Sequence, residues 1–176
     1  MDLSLYAITA RVPSLGRTHA DVARAALEGG ATVVQFRDKQ LEGDALLAEA
    51  GAVREACRTA GVTFVVNDDA EAARTLDADG LHVGQEDLGV LDAWRPDPGM
   101  LLGISITEPS QVEDAVALGA DYLGAGPVFA TPSKADAAQP MGLEELAEAV
   151  ARSSVPVVAI GGITEESVRS IIEAGA

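Results

Sequence analysis

A (β/α)8 barrel is the fold this sequence predicts, on three observations. Short apolar runs rich in Val and Ile alternate with helical stretches seven times, the pattern of a parallel sheet buried on both faces. The units recur every roughly 20 to 30 residues, the repeat of a (β/α)8 barrel or of a doubly wound sheet. Polar motifs separate these two: they end nearly every strand instead of gathering at one switch point, and no strand runs into a G-x-G-x-x-G turn. The expectation is a single barrel domain over 1–176, C-terminally incomplete, with about seven βα units and the eighth lacking.

Each element has its own signal. Leu3–Thr9 is an apolar run that opens a first strand. Ala20–Glu28 has helical spacing and stops at Gly29-Gly30. Ala31–Lys39 reads as a second strand, and Asp44–Ala60 as a helix closed by Gly61, the favoured residue just past a helix C-terminus. Val62–Val66 and Gly80–Gly84 are β-branched strands around a short helix, Ala70–Leu76. A helix or loop at Val90–Trp94 leads to a Pro- and Gly-containing turn at 95–99, with Trp94 as a packing plug. Leu101–Ile106 is followed by a helix at Gln111–Leu118, and Tyr122–Gly126 by a long loop and a helix at Leu143–Arg152. Val155–Ile160 and the helix Glu165–Ala174 finish the chain as given.

Composition narrows the function. With 48% hydrophobic and only 3% aromatic residues, the core is built from Ala, Val, Leu and Ile. A formal net charge of -16 argues against nucleic acid or an anionic membrane as partner, because the overall field repels polyanions. A small anionic substrate then needs a local cationic patch or a metal ion. Cys57 is the single cysteine and falls in a helical pattern, which excludes a disulfide framework. No stretch has the length and apolarity of a membrane span, and the start MDLSLYAIT lacks the basic opening of a signal peptide, so the expectation is a cytoplasmic protein.

The chemistry is expected at the strand exits. Val62–Val66 and Gly80–Gly84 break into Asn67-Asp68-Asp69 and Gln85-Glu86-Asp87. Asp68 and Asp87 at neighbouring exits suit a hard cation such as Mg²⁺, which takes one or two carboxylates and leaves its other positions to water and phosphate oxygens. Ordinary strand-end or helix-capping roles would use the same residues. In Gln35-Phe36-Arg37-Asp38-Lys39 the polar Gln35, Arg37 and Lys39 alternate, so on a strand they share a face that could cradle phosphate, while Val34 and Phe36 take the other. A solvated edge or an ion pair with Asp68 or Asp87 is the competing reading. Two lysines, Lys39 and Lys134, stand against ten arginines, which suggests that these two positions need a compact ammonium. Lys134 ends the loop Gly124-Ala125-Gly126-Pro127 to Thr131-Pro132-Ser133-Lys134, where two hydroxyls precede a cation. Gly161-Gly162 after the seventh strand can expose backbone N–H groups to a phosphate, and Ser105 is a small hydroxyl at the fifth strand end. His82 reads as a hydrogen-bonded interior residue and His19 as a surface residue near a helix start.

Taken in order, Gln35-Phe36-Arg37-Asp38-Lys39, Asn67-Asp68, Gly80 to Asp87, Gly103-Ile104-Ser105, Gly119 to Pro127, Thr131-Pro132-Ser133-Lys134 and Ala159 to Ile163 closely resemble thiamine-phosphate synthases. The resemblance implies a (β/α)8 transferase of thiamine biosynthesis that joins hydroxymethylpyrimidine diphosphate to a thiazole phosphate and releases diphosphate. By it, Asp68 and Asp87 would hold Mg²⁺. Gln35, Phe36, Arg37, Asp38, Lys39, Asn67 and Lys134 would form the pyrimidine diphosphate site, with Ser105 on the pyrimidine. Thr131, Pro132, Ser133 and the Gly162 backbone would take the thiazole phosphate. Arg37, Lys39, Lys134 and Ser105 are the expected catalytic group. Ser133 and Asp38 stand where the family more often has Thr and Glu, and each keeps the chemistry of its group. A related thiazole tautomerase is expected to need a histidine after Ser105, where this chain reads Ile106-Thr107-Glu108. The alternatives are that tautomerase, another phosphate-binding barrel, or a barrel that binds a thiamine precursor without turnover. A homo-oligomer is compatible with the sequence.

Overall fold

The computed structural model describes residues 1–10, 16–93, 99–131 and 139–176. Trp94, most of the turn at 95–99, and Pro132, Ser133 and Lys134 lie outside the described residues. The chain forms two compact units, one of 1–82 with 87–101 and one of 83–86 with 102–176.

In the first unit β1 (Tyr6–Thr9), β2 (Val33–Phe36), β3 (Thr63–Asn67) and β4 (Gly80–Val83) pair in parallel in chain order. Between them run α1 (His19–Glu28), α2 (Gly43–Ala60) and α3 (Ala70–Thr75), with α4 (Val90–Ala93) after β4. Every residue of β2 and β4 is buried, as expected for parallel strands covered on both faces. α2 buries Leu46, Ala50, Val53 and Cys57, a stripe at intervals of four, three and four residues. Removing a Leu or Val side chain from water contributes about 2 kcal/mol, so this stripe, and not helix propensity, holds α2 in place. Gly61 ends it in the left-handed conformation, φ 67°, as its position in the sequence predicts. Burial pushes the Cys57 thiol up to about 11, which leaves it a small apolar packing group.

In the second unit β5 (Leu101–Ile106), β6 (Tyr122–Ala125) and β7 (Val157–Ala159) are parallel and again in chain order. A 3₁₀ turn at Pro109–Gln111 leads into α5 (Val112–Ala117), and α6 (Gly142–Arg152) and α7 (Val168–Glu173) follow β6 and β7. Helix α7 is shorter than the sequence suggests and begins only at Val168, after a turn in which the Ser167 hydroxyl accepts the Thr164 N–H at 2.8 Å. Among the described residues no helix is long and apolar enough to cross a membrane.

One device recurs at the strand starts. The residue just before β2, Thr32, accepts the Leu5 N–H on its hydroxyl at 3.1 Å and donates its own N–H to the Leu5 carbonyl at 2.9 Å. Asp79, just before β4, does the same to Phe64 with its carboxylate at 2.8 Å and its N–H at 3.0 Å. Asp121, just before β6, clasps Leu102 at 2.8 and 2.7 Å. Each clamp satisfies a backbone N–H that would otherwise be orphaned at a sheet end, and it leaves the opposite strand ends for chemistry.

Two expectations are corrected here. Strand β2 stops at Phe36, so Arg37 and Lys39 do not continue its alternating face: they sit on a turn made by Asp38, whose Oδ1 accepts the Gln40 and Leu41 N–H groups at 2.7 and 3.1 Å. His19 is fully buried (0% exposed) and not a surface residue. Thr18 caps α1 in a capping box with Asp21, and this fixes His19 at the first helical position with its ring turned inward.

Candidate functional site

Gln35 and Arg37 bracket the end of β2, but they are used differently. The Gln35 amide donates to the Tyr6 hydroxyl at 2.9 Å and the residue is 1% exposed. Phe36 is 2% exposed with its ring 4.7 Å from that of His19. Beyond them the turn presents Arg37, half-buried, and Lys39, whose side chain is 47% exposed. Asp38, between the two cations, has both oxygens engaged, one by the turn amides and the other by His19 Nε2 at 2.9 Å. Burial raises its pKa, but the bonds from His19, Gln40 and Leu41 outweigh that and hold the carboxyl below its ordinary value.

The acidic half comes from the next two exits. Asp68 follows β3 in the left-handed region, φ 62°, a conformation Asp adopts more readily than most residues. Its N–H donates to the His82 carbonyl at 2.8 Å, which locks the turn to β4, and the Asn67 amide donates to its carboxylate. Its neighbour Asp69 has a separate task, capping α3 by accepting the Ala72 N–H at 2.8 Å. Asp87 closes a 3₁₀ turn, Gln85–Asp87, after β4. The Lys39 ammonium lies 3.7 Å from Asp68 and 3.8 Å from Asp87. Both carboxylates thus reach one cationic centre, the ion pairing that the sequence offered as the alternative to a phosphate cradle, here on a side chain that is 47% exposed. Among the described residues there is no group of three acidic, His or Cys side chains that could hold a metal. Mg²⁺ does not need one, since it is ordinarily held by one or two carboxylates with water and substrate phosphate completing its shell. The donor set of Asp68 and Asp87 fits that ion.

The second unit carries the remaining expected residues. Ser105 lies near the end of β5, and its carbonyl accepts the Gln85 amide at 2.6 Å, a contact the sequence reading did not foresee. After β6 the backbone crosses the exit of β7: Val128 donates to the Ile160 carbonyl at 2.8 Å and Phe129 to that of Gly161 at 2.9 Å. A Cβ on Gly162 would sit 2.6 Å from the Ala130 carbonyl, and its φ is 66°. The Gly161-Gly162 pair is therefore required by close backbone packing. Thr131, the last described residue of that loop, is half-buried.

His82 behaves as the sequence suggests, an interior residue of β4, and burial lowers its pKa from 6.5 to about 4. Below pH 6.5 the unfolded chain takes up a proton that the folded chain refuses down to about pH 4. Stability therefore falls as pH drops through that window, by roughly 3 kcal/mol in full, and is independent of this group above it. Urea unfolding at pH 7 and pH 4.5 should show the loss, and His82→Gln should remove most of the difference.

Parallel βα units with cations and a pair of carboxylates on strand exits define a class, the phosphate-handling (β/α) barrel enzymes. The family model for thiamine monophosphate synthase matches residues 5–176. A thiamine-phosphate synthase from Chloroflexus aurantiacus is 46% identical over 176 residues, covering 100% of this chain and 82% of the relative. Another from Methanoculleus marisnigri is 47% identical over 177 residues, covering 84% of its length. The solved thiamine phosphate pyrophosphorylase of Pyrococcus furiosus superposes with a TM-score of 0.87 at 35% identity, covering 99% of this chain and 82% of that one. An N-acetylmannosamine-6-phosphate 2-epimerase from Clostridium perfringens, at 16% identity and a TM-score of 0.67, shares the fold alone. The chain belongs to the thiamine monophosphate synthase family. Its fold is the (β/α) barrel type, with seven strand–helix units among the described residues, and its activity is thiamine-phosphate synthesis, a transferase reaction of thiamine biosynthesis on small-molecule substrates.

Proposed function

We propose that the enzyme joins hydroxymethylpyrimidine diphosphate to a thiazole phosphate, carboxylated or not, by a dissociative route in the cytoplasm. The methylene C–O bond of the pyrimidine substrate breaks, its electron pair leaving with the diphosphate. The lone pair of the thiazole nitrogen then closes the new C–N bond on the resulting cation, and where the thiazole is carboxylated its carboxyl group leaves as CO2. Such a reaction asks the protein for charge neutralisation and positioning, not for a nucleophile. The observation that carries the reading is the turn after β2, where Arg37 is followed by Lys39 poised 3.7 and 3.8 Å from Asp68 and Asp87.

Arg37 offers a planar fork to two phosphate oxygens and Lys39 a point charge, with Lys134 the third cation of the set. Asp68 and Asp87 would hold Mg²⁺, which when bound supplies further neutralisation of the leaving diphosphate. Asn67 orients Asp68. Gln35, Phe36 and Asp38 support the diphosphate site from within, Ser105 contacts the pyrimidine, and Thr131, Pro132, Ser133 and the Gly162 backbone take the thiazole phosphate.

The test is formation of thiamine phosphate and diphosphate from the two substrates, with Mg²⁺ and with chelator. Product that needs both substrates and Mg²⁺ is the expected result. Product undiminished by chelator would remove the metal role, and turnover of a single substrate without diphosphate release would point to a tautomerase.

A further inference from the structure

Between the end of β1 and the turn after β2 lies a buried polar chain, Thr9–His19–Asp38, of which the proposed chemistry uses only Asp38. His19 is 0% exposed, and its two ring nitrogens are both engaged: Nδ1 meets the Thr9 hydroxyl at 2.9 Å and Nε2 meets Asp38 at 2.9 Å. Thr9 is itself 1% exposed, and the Phe36 ring packs on the imidazole at 4.7 Å. An ionised carboxylate has acceptors only, so His19 Nε2–H is the donor to Asp38. The other Asp38 oxygen accepts the Gln40 and Leu41 N–H groups at 2.7 and 3.1 Å. One side chain thus joins the turn's own backbone to a residue fixed in α1, and through it to β1. A buried polar chain of this kind is maintained only if every member is satisfied, and once satisfied it rigidifies what it touches. What it touches is the residue between Arg37 and Lys39.

We propose that His19 is a positioning residue of the synthase: by holding the Asp38 carboxylate against the end of β1, it fixes the turn on which Arg37 and Lys39 meet the diphosphate of the pyrimidine substrate. The proposal rests on the assignment of Arg37 and Lys39 to that diphosphate. It predicts an effect confined to one substrate, because the anchored turn carries no residue assigned to the thiazole phosphate.

His19→Leu keeps the apolar packing on Phe36 and removes both polar contacts. It should raise the KM for the pyrimidine diphosphate about tenfold, the lower end of what losing an orienting partner costs, while the KM for the thiazole phosphate stays within about twofold. His19→Gln can still donate to Asp38 and should restore most of the affinity. Inorganic diphosphate with Mg²⁺, followed by calorimetry, should weaken in step with that KM. Thr9→Val is nearly isosteric and loses only the hydroxyl; it should move the same KM by about threefold, and it stands as the test if His19→Leu does not fold by circular dichroism. Unchanged KM for the pyrimidine diphosphate in a folded His19→Leu, or in Thr9→Val if that is the usable variant, overturns the proposal. So does an equal rise for both substrates, which is what a general loosening of the fold would give. Arg37→Ala is the control: if it too leaves the pyrimidine KM unchanged, the diphosphate assignment has failed, whereas a rise there beside a silent His19 variant rejects the positioning role alone.

Discussion

Asp68→Asn should lower turnover about a hundredfold, on the scale of removing one preorganised electrostatic partner, and move half-saturating Mg²⁺ to higher concentration. The substitution is chosen because Asn tolerates the left-handed backbone at this position, φ 62°, about as well as Asp does. Stability should therefore change little, and the loss can be assigned to the charge. The same variant leaves Lys39 with Asp87 as its remaining carboxylate among the two ion pairs seen here. A Mg²⁺ titration of the initial rate that matches the wild type would reject Asp68 as a ligand. A rate loss without any change in the titration would place its effect on Lys39 instead.

Gly126→Ala should cost the second unit at least about 3 kcal/mol, in the range reserved for overpacking and lost buried hydrogen bonds. The added Cβ would lie 2.2 Å from the Ile160 carbonyl oxygen and 2.8 Å from its Cγ2. That oxygen already accepts the Val128 N–H at 2.8 Å, so neither partner can retreat without breaking the crossing of the loop over β7. Gly89 offers a control, since a Cβ there has nothing within 4 Å. Gly89→Ala should stay within about 0.5 kcal/mol of the wild type in urea unfolding. Equal midpoints for the two variants would show that the loop after β6 does not pass over β7 as described.

The sequence carried the element order because the signals there are local. Gly61 ends α2 where its left-handed φ favours a glycine, and the apolar stripe of α2 marks the buried face. The acidic pair was legible for a related reason: Asp68 and Asp87 each follow a β-branched run, and parallel pairing brings neighbouring exits together. What escaped was decided by partners far along the chain. Alternation suggested that Gln35, Arg37 and Lys39 form one face, but Asp38 captures two amides and ends the strand early. Nothing in the spacing from Thr9 to His19 to Asp38 announces a buried chain, and the capping box of Thr18 with Asp21 that turns His19 inward emerged only in the structure. Asp68-Asp69 looked like one acidic motif, yet the two carboxylates serve a cation and a helix cap. The glycines at 161 and 162 suggested a phosphate cradle, while their neighbours show that backbone crowding alone would demand them.

The clamps of Thr32, Asp79 and Asp121 bear on how the chain reaches this fold. They join residues 27, 15 and 19 positions apart, so each encloses a single strand–helix segment. The entropy lost in closing a loop depends on the length enclosed, and here that length is set by the repeat and not by the whole polypeptide. Parallel sheets are ordinarily slow to assemble because their strands are distant in sequence. Here three pairs of neighbours, β1 with β2, β3 with β4 and β5 with β6, can each be latched by their own short segment, in the order in which the ribosome delivers it.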